Sequence, residues 1–203
     1  MHKNSHSKME WFKNTYLNTS KKLDILDVGS LDSNGDYNYS DIFDEEKWTY
    51  TGLDFQGGNN VDIIVTDIYN WFEVEDNKYD VIISGQLFEH LEFFWITMSE
   101  IERVLKPGGY VCIIAPSAGP KHGGNIPNCY RFHEDGLRAM AKYVDLEVLD
   151  VSVDERKEVA PWNDACLVAH KAGSSQNAES KELENRIDDL ENKLDTILQS
   201  IQK

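Results

Sequence analysis

From Asp24 onward the chain repeats one pattern, a short apolar run that stops at Gly, Asp or Ser. The runs are Ile25–Gly29, Thr49–Asp54, Val61–Asp67, Tyr79–Gly85 and Tyr110–Ser117, followed by Leu146–Asp154 and Ala165–His170. Runs that are apolar on both faces and end in polar loops predict parallel strands between two helical layers. Helical spacing marks three further segments. Residues 8–20 carry Met9, Trp11, Phe12, Tyr16 and Leu17; Phe93–Leu105 ends in Lys106-Pro107-Gly108-Gly109, a helix stop and turn; Phe132–Tyr143 has its cap near His133 to Asp135. Seven strands with interleaved helices predict an α/β fold with an open, doubly wound sheet, which binds ligands beyond the carboxyl ends of its strands.

The pattern changes after Ala172. Gly173-Ser174-Ser175-Gln176-Asn177-Ala178 has the composition of a flexible linker. Beyond it, Leu183, Ile187, Leu190, Leu194, Ile197 and Ile201 follow spacings of 4, 3, 4, 3 and 4, the a/d seam of a coiled coil. The organisation read from this is a domain over 1–172, a linker over 173–179 and an oligomerisation helix over 180–203. A lone helix of that length is marginal in water, so the seam needs a partner. Arg186-Ile187-Asp188-Asp189-Leu190-Glu191 resembles the Arg-apolar-x-x-apolar-Glu pattern of trimeric coiled coils, and a parallel homotrimer is expected rather than a dimer.

Charge narrows the partners. With 36 acidic against 20 basic residues and a formal charge of −16, the chain lacks the basic face that nucleic acids or anionic membranes require. No stretch approaches the roughly 20 apolar residues needed to cross a bilayer, and Met1 to Lys13 has no apolar signal core, which reads as a cytoplasmic protein. Cys112, Cys129 and Cys166 match no zinc or redox spacing; two of them fall in apolar runs, as small hydrophobes do, and no disulfide is expected.

The candidate chemistry begins at Ile25-Leu26-Asp27-Val28-Gly29-Ser30-Leu31-Asp32-Ser33-Asn34-Gly35. A dinucleotide fingerprint counted from Gly29 would need glycines where Leu31 and Asn34 stand, so a nicotinamide-dependent nucleotide-sugar oxidoreductase is the weaker reading. Gly29 supplies a tight turn, and Asp54, about 25 residues later at a strand end, offers an acceptor for ribose hydroxyls.

Ile25 to Gly29, Gly52-Leu53-Asp54, Val65-Thr66-Asp67-Ile68, Tyr79 to Ser84 with Phe88-Glu89-His90-Leu91, and Ile101 to Tyr110 together resemble the ordered motifs of class I methyltransferases of the type 11 group. The resemblance covers roughly 23–170. It implies a Rossmann-like sheet of seven strands, mostly parallel with the last antiparallel, and S-adenosylmethionine as cofactor. It implies that Asp27 belongs to the cofactor site, that Gly29 and Ser30 lie by the methionine moiety and Asp54 by the ribose. Phe55 would face the adenine, Asp67 and Ile68 its edge, and Ser84, Gly85 and Gln86 the sulfonium. The first loop departs from the family in lacking further glycines, as in a subgroup associated with sugar and surface-polysaccharide genes.

Methyl transfer from a sulfonium needs alignment and exclusion of water more than catalytic groups. If the acceptor is a hydroxyl of a saccharide or other small molecule, a histidine is the usual base. His122, in a glycine-rich loop after the fifth strand, and His90 are the candidates. Tyr130, Arg131 and His133, with His122, are the candidate acceptor-binding residues. No metal site is expected, because His90, His122 and His133 form no short-spaced set with a Cys or Asp, and His2 and His6 are attributed to a mobile N-terminus. The alternative to an enzyme is a binding or scaffold protein that keeps the fold without catalysis.

Overall fold

The computed structural model describes residues 3–32, 35, 38–122, 124, 126–154 and 163–173. The linker from Ser174 on and the coiled-coil seam lie outside the described residues. Everything below belongs to the compact unit Met1–Lys171. Its elements in chain order are α1 (Lys3–Tyr16), β1 (Leu23–Val28), β2 (Trp48–Asp54), β3 (Ile63–Ile64), β4 (Tyr79–Gly85), a 3-10 turn (Phe88–His90), α2 (Phe94–Val104), β5 (Leu105–Pro116), α3 (Glu134–Tyr143), β6 (Glu147–Val153) and β7 (Asp164–His170). The seven strands form one sheet in the order β3-β2-β1-β4-β5-β7-β6. β7 alone runs against both its neighbours. The order reverses between β1 and β4, which is where such sheets leave a crevice.

Successive residues of the central strands enter opposite layers, the period-2 consequence of the pleat. Leu26, Val28, Ile82, Ile113 and Leu167 pack on one side with Met98, Ile101 and Val104 of α2 and Leu137, Met140 and Ala141 of α3. Ile25, Val81, Ile83, Cys112, Ile114, Cys166 and Val168 pack on the other with Met9 and Phe12 of α1 and with Tyr39, Phe43 and Trp48. Both faces are covered, so the runs had to be apolar throughout. Cys112 and Cys166 are buried here with their sulfurs 3.9 Å apart, as small hydrophobes, while Cys129 is exposed.

Several elements differ from the sequence pattern. The run Val61–Asp67 yields only Ile63–Ile64 as strand. Lys106-Pro107-Gly108-Gly109 does not separate helix from strand but lies within β5: pairing with β4 starts at Leu105↔Tyr79, shifts register, and resumes at Tyr110↔Val81. Gly108, at φ +84, gives the bulge its left-handed residue. The first helix sits earlier than its apolar spacing suggested and begins at Lys3, with Asn4 and Ser5 buried, so the N-terminal segment from Lys3 is anchored rather than mobile.

Among the described residues, no α-helix occurs in the connections β1 to β2, β2 to β3 or β3 to β4. Side chains replace the missing helices. Arg103 of α2 reaches back to the carbonyls of Trp71 and Val74 and to Asp76 while pairing with Glu100, which also accepts the Trp71 N–H. These charge-assisted bonds hold the 65–78 segment to α2 and keep the guanidinium firmly protonated.

Candidate active site

Gly29 stands at the carboxyl end of β1 with φ +81, a left-handed conformation that a side chain resists. A Cβ there would also meet Leu87 Cδ2 at 2.9 Å. The turn lets three successive amides wrap the end of β2: the Gly29 and Ser30 N–H groups donate to the Leu53 carbonyl at 2.8 and 3.2 Å, and the Leu31 N–H donates to Asp54 Oδ2 at 3.2 Å. Asp54 Oδ1 accepts the Gln56 N–H at 3.0 Å. The backbone therefore fixes this carboxylate in place, and each oxygen keeps a lone pair for a ligand.

A second layer supports the first. Ser30 Oγ donates to the Asn60 carbonyl at 2.7 Å, and Asn60 Nδ2 donates to the Ser30 carbonyl and the Tyr50 hydroxyl, both at 3.0 Å. The Tyr50 hydroxyl donates in turn to Asp27 Oδ2. Gly52 permits the layer to close, since a Cβ on it would sit 1.9 Å from the Asn60 carbonyl oxygen. Asp27 is 2% exposed and its Oδ1 has no hydrogen-bond partner. Burial pushes its carboxyl up to about 7, against the lowering effect of Tyr50, and the charge of Asp54 adds to the rise. An unpartnered buried carboxylate oxygen beside a glycine turn is a feature that calls for an explanation.

The other residues implied by resemblance lie on the same rim with unequal freedom. Phe55 is 45% exposed and presents a ring to solvent. Asp67 is exposed, with Oδ1 taking the Tyr69 N–H, and Ile68 is half-buried against the core. Ser84 is fully buried and its hydroxyl donates to the Val28 carbonyl at 2.8 Å, tying β4 to β1. Gly85 lies under the Tyr39 hydroxyl, which leaves no room for a Cβ. Gln86, at φ +61, donates from Nε2 to Asp164 Oδ1 at 3.0 Å, while Asn4 donates to Asp164 Oδ2 at 3.1 Å. α1 is thereby stitched to the start of β7 beneath the crevice. Tyr50, Asn60, Asn4 and Asp164 carry no motif in the sequence; they are found only by their contacts.

On the β5 side the structure brings His90 and His122 together, with ring centroids 5.1 Å apart and edge to face. Between them lies Glu89, to which the sequence pattern assigns no role. Its side chain is 0% exposed, and His90 Nε2 and His122 Nε2 stand 3.7 and 3.6 Å from Oε1. Neither carboxylate oxygen has a hydrogen-bond partner. Burial pushes this carboxyl up to about 7, opposed in part by the nearby Arg131 charge. No pattern of spacing could reveal the trio, because its members sit on a 3-10 turn and on a loop after a different strand.

Arg131 organises that loop. Its guanidinium donates to the carbonyls of Gly119 and Pro120 and to Asn128 Oδ1, at 3.3, 2.6 and 2.9 Å. Asn128 Nδ2 and Arg131 Nη2 each lie 3.4 Å from His122 Nδ1. The Tyr130 hydroxyl donates to the Glu92 carbonyl, and its ring meets Phe94 edge-on at 5.0 Å. His133 is exposed at the cap of α3 and makes no side-chain cap bond.

A protein-family model described as a methyltransferase domain matches residues 35–113. No curated protein sequence matches the chain. Among solved structures, the fold is similar to that of an S-adenosylmethionine-dependent methyltransferase from Methanosarcina mazei, at 13% identity over 79% of this chain and 97% of that one, with TM-score 0.60. It is likewise similar to 1,6-didemethyltoxoflavin-N1-methyltransferase from Burkholderia thailandensis, solved with bound 1,6-didemethyltoxoflavin and S-adenosylhomocysteine. That match has 13% identity over 83% of this chain and 75% of the other, with TM-score 0.60. The cyclase SpnF matches at 16% identity over 82% and 81%, with TM-score 0.62. At these identities the likeness shows the fold, which is that of the class I S-adenosylmethionine-dependent methyltransferases, and with the family model it supports that class.

Proposed function

We propose that this protein transfers the methyl group of S-adenosylmethionine to a hydroxyl of a small molecule or saccharide. One observation carries the reading: the Gly29 turn, the backbone-held Asp54 and the orphaned oxygen of Asp27 converge on the rim where the strand order reverses. That set suits a ligand with an amino-acid end and a ribose. Asp27 takes the ammonium and Asp54 the ribose hydroxyls. Gly29 and Ser30 lie along the methionine, and Phe55, Asp67 and Ile68 line the adenine. Ser84, Gly85 and Gln86 form the floor beneath the sulfonium.

In the reaction the acceptor oxygen attacks the methyl carbon in line with the departing sulfur. The carbon–sulfur bond breaks with its electron pair going to sulfur, a methyl ether forms, and the hydroxyl proton is released. His122 and His90 receive the acceptor hydroxyl and direct removal of its proton, with Glu89 behind them. Tyr130, Arg131 and His133 border the acceptor, Arg131 chiefly by shaping the loop. The neighbour from Burkholderia thailandensis, with a small molecule and S-adenosylhomocysteine bound, supports an acceptor of that size. Among the described residues no helix is long and apolar enough to cross a membrane, and the acidic charge supports a partner other than nucleic acid or a membrane in a cytoplasmic setting.

Calorimetry with S-adenosylmethionine and S-adenosylhomocysteine is the first test, followed by radiolabelled methyl transfer to nucleotide sugars, glycans and phenols. Absence of binding at millimolar ligand removes the proposal. A second reading, a cofactor-holding scaffold, draws on the two backbone amides already bonded to Asp54; binding without transfer to any acceptor would favour it. The seam Leu183–Ile201 is assigned to a homotrimer, so truncation after Gly173 yields a monomer by sedimentation, and an unchanged mass refutes that assignment.

A further inference from the structure

We infer that Glu89, His90 and His122 form a binding site for a divalent transition ion of the zinc type, open to solvent at one coordination position. The donor atoms of the three residues lie within 4.8 Å of one another, and the Oε1–Nε2 separations are 3.7 and 3.6 Å. Ligands about 2.0–2.2 Å from a tetrahedral ion stand about 3.3–3.6 Å apart, so each histidine is near coordination spacing from the carboxylate. Two imidazoles and one carboxylate suit zinc or a neighbouring first-row ion rather than magnesium or calcium. Three protein ligands with a vacant fourth position are the arrangement of a catalytic rather than a structural site.

The hydrogen bond on the His90 side points the same way. His90 Nδ1 faces the Pro127 carbonyl, which can only accept, so the ring proton is on Nδ1 and the Nε2 lone pair faces Glu89. An outer partner that orients a histidine is a regular feature of metal sites. A lone pair aimed at a fully buried carboxylate with no hydrogen-bond partner is a repulsive pair unless a cation stands between them. A proton relieves one of these contacts, whereas a divalent ion satisfies all three donor atoms. On the His122 side, Asn128 Nδ2 and Arg131 Nη2 each lie 3.4 Å from Nδ1, so loading, which moves the ring proton to Nδ1, requires both donors to turn away from it. His122, at 31% side-chain exposure, provides the route in from solvent.

The binding site is independent of methyl transfer; the role given to the ion rests on the proposed acceptor position. An acceptor hydroxyl held at the open position is acidified and loses its proton to solvent. Its oxygen then takes the methyl group while the electron pair of the carbon–sulfur bond goes to sulfur. The two histidines are then ligands rather than bases.

The test titrates cobalt(II) into the chelator-stripped full chain, followed by visible absorption, and zinc by calorimetry. About one equivalent should bind per chain with the visible bands of a low-symmetry cobalt site, and Glu89→Gln and His122→Ala should each weaken binding on the order of 100-fold or more. His2→Ala combined with His6→Ala should leave it unchanged. Lack of stoichiometric binding, wild-type affinity in both Glu89→Gln and His122→Ala, or loss of binding in the His2/His6 variant overturns the inference. S-adenosylhomocysteine calorimetry on the same stripped protein separates the two claims: cofactor bound without cobalt defeats only the metal site, and cobalt bound without cofactor defeats only the methyltransferase reading.

Discussion

Buried carboxylates are held to different degrees on the proposed cofactor rim and on the proposed acceptor side. On the rim, Asp54 accepts two backbone amides, Asp164 is held by Gln86 and Asn4, and Asp27 takes the Tyr50 hydroxyl on one oxygen. On the acceptor side, Glu89 is as deeply buried and has no hydrogen-bond partner. A buried carboxylate without such partners costs several kcal/mol at the order-of-magnitude level, and natural proteins keep such costs where a ligand offsets them. The rim is thus tied by its own hydrogen bonds except at Asp27 Oδ1, the oxygen proposed to meet the ligand. The proposed acceptor side is built around a buried carboxyl with both oxygens unpartnered.

The comparison breaks most visibly in paired mutants. His122→Ala should lower the methyl-transfer rate by about 100-fold or more while leaving affinity for S-adenosylhomocysteine intact, the range for loss of a group that handles a reacting proton. Asp54→Ala should do the reverse, weakening S-adenosylhomocysteine by roughly 10- to 100-fold, the worth of hydrogen bonds to a charged group. A loss of affinity in the first variant, or none in the second, would merge the two regions.

Asp27 offers a smaller, pH-dependent distinction. Its carboxyl is raised to about 7 in the folded state, so between about pH 4 and 7 the folded protein holds a proton that the unfolded chain has released. Stability from this group is present at low pH and is lost as pH rises through 7. The melting temperature should therefore fall between pH 5 and pH 8, and Asp27→Asn, beside Tyr50, Tyr39 and Asp54, should flatten the fall. A mutant profile parallel to wild type would remove Asp27 as its source. The smallest effect is expected at Phe55, whose exposed ring is proposed to stack on the adenine: Phe55→Ala should cost about 3- to 10-fold in cofactor affinity and leave the melting temperature unchanged.

The two regions also differ in how they could be read from the chain. The Gly29 corner and the Asp54 strand end were legible because each is a local signal, a turn residue or a polar stop after an apolar run. Strand ends were less so. The run Val61–Asp67 had the composition of a full strand, yet only Ile63 and Ile64 pair, since the run lies at the sheet edge and meets only the last two residues of β2, Leu53 and Asp54. Lys106-Pro107-Gly108-Gly109 had the chemistry of a turn, and the sheet absorbed it as a bulge because Leu105 found Tyr79 as a partner.

By itself the sequence determined the glycine corner and the continuous apolar runs that bury both sheet faces, because these depend on a residue and its near neighbours. Tertiary structure alone decided that Glu89 is sealed from solvent between two histidines, and that Asn4 meets Asp164 across 160 positions. The reason is that burial belongs to the packing of distant segments: a glutamate reads the same in sequence whether water or the interior surrounds it, and only the fold settles which.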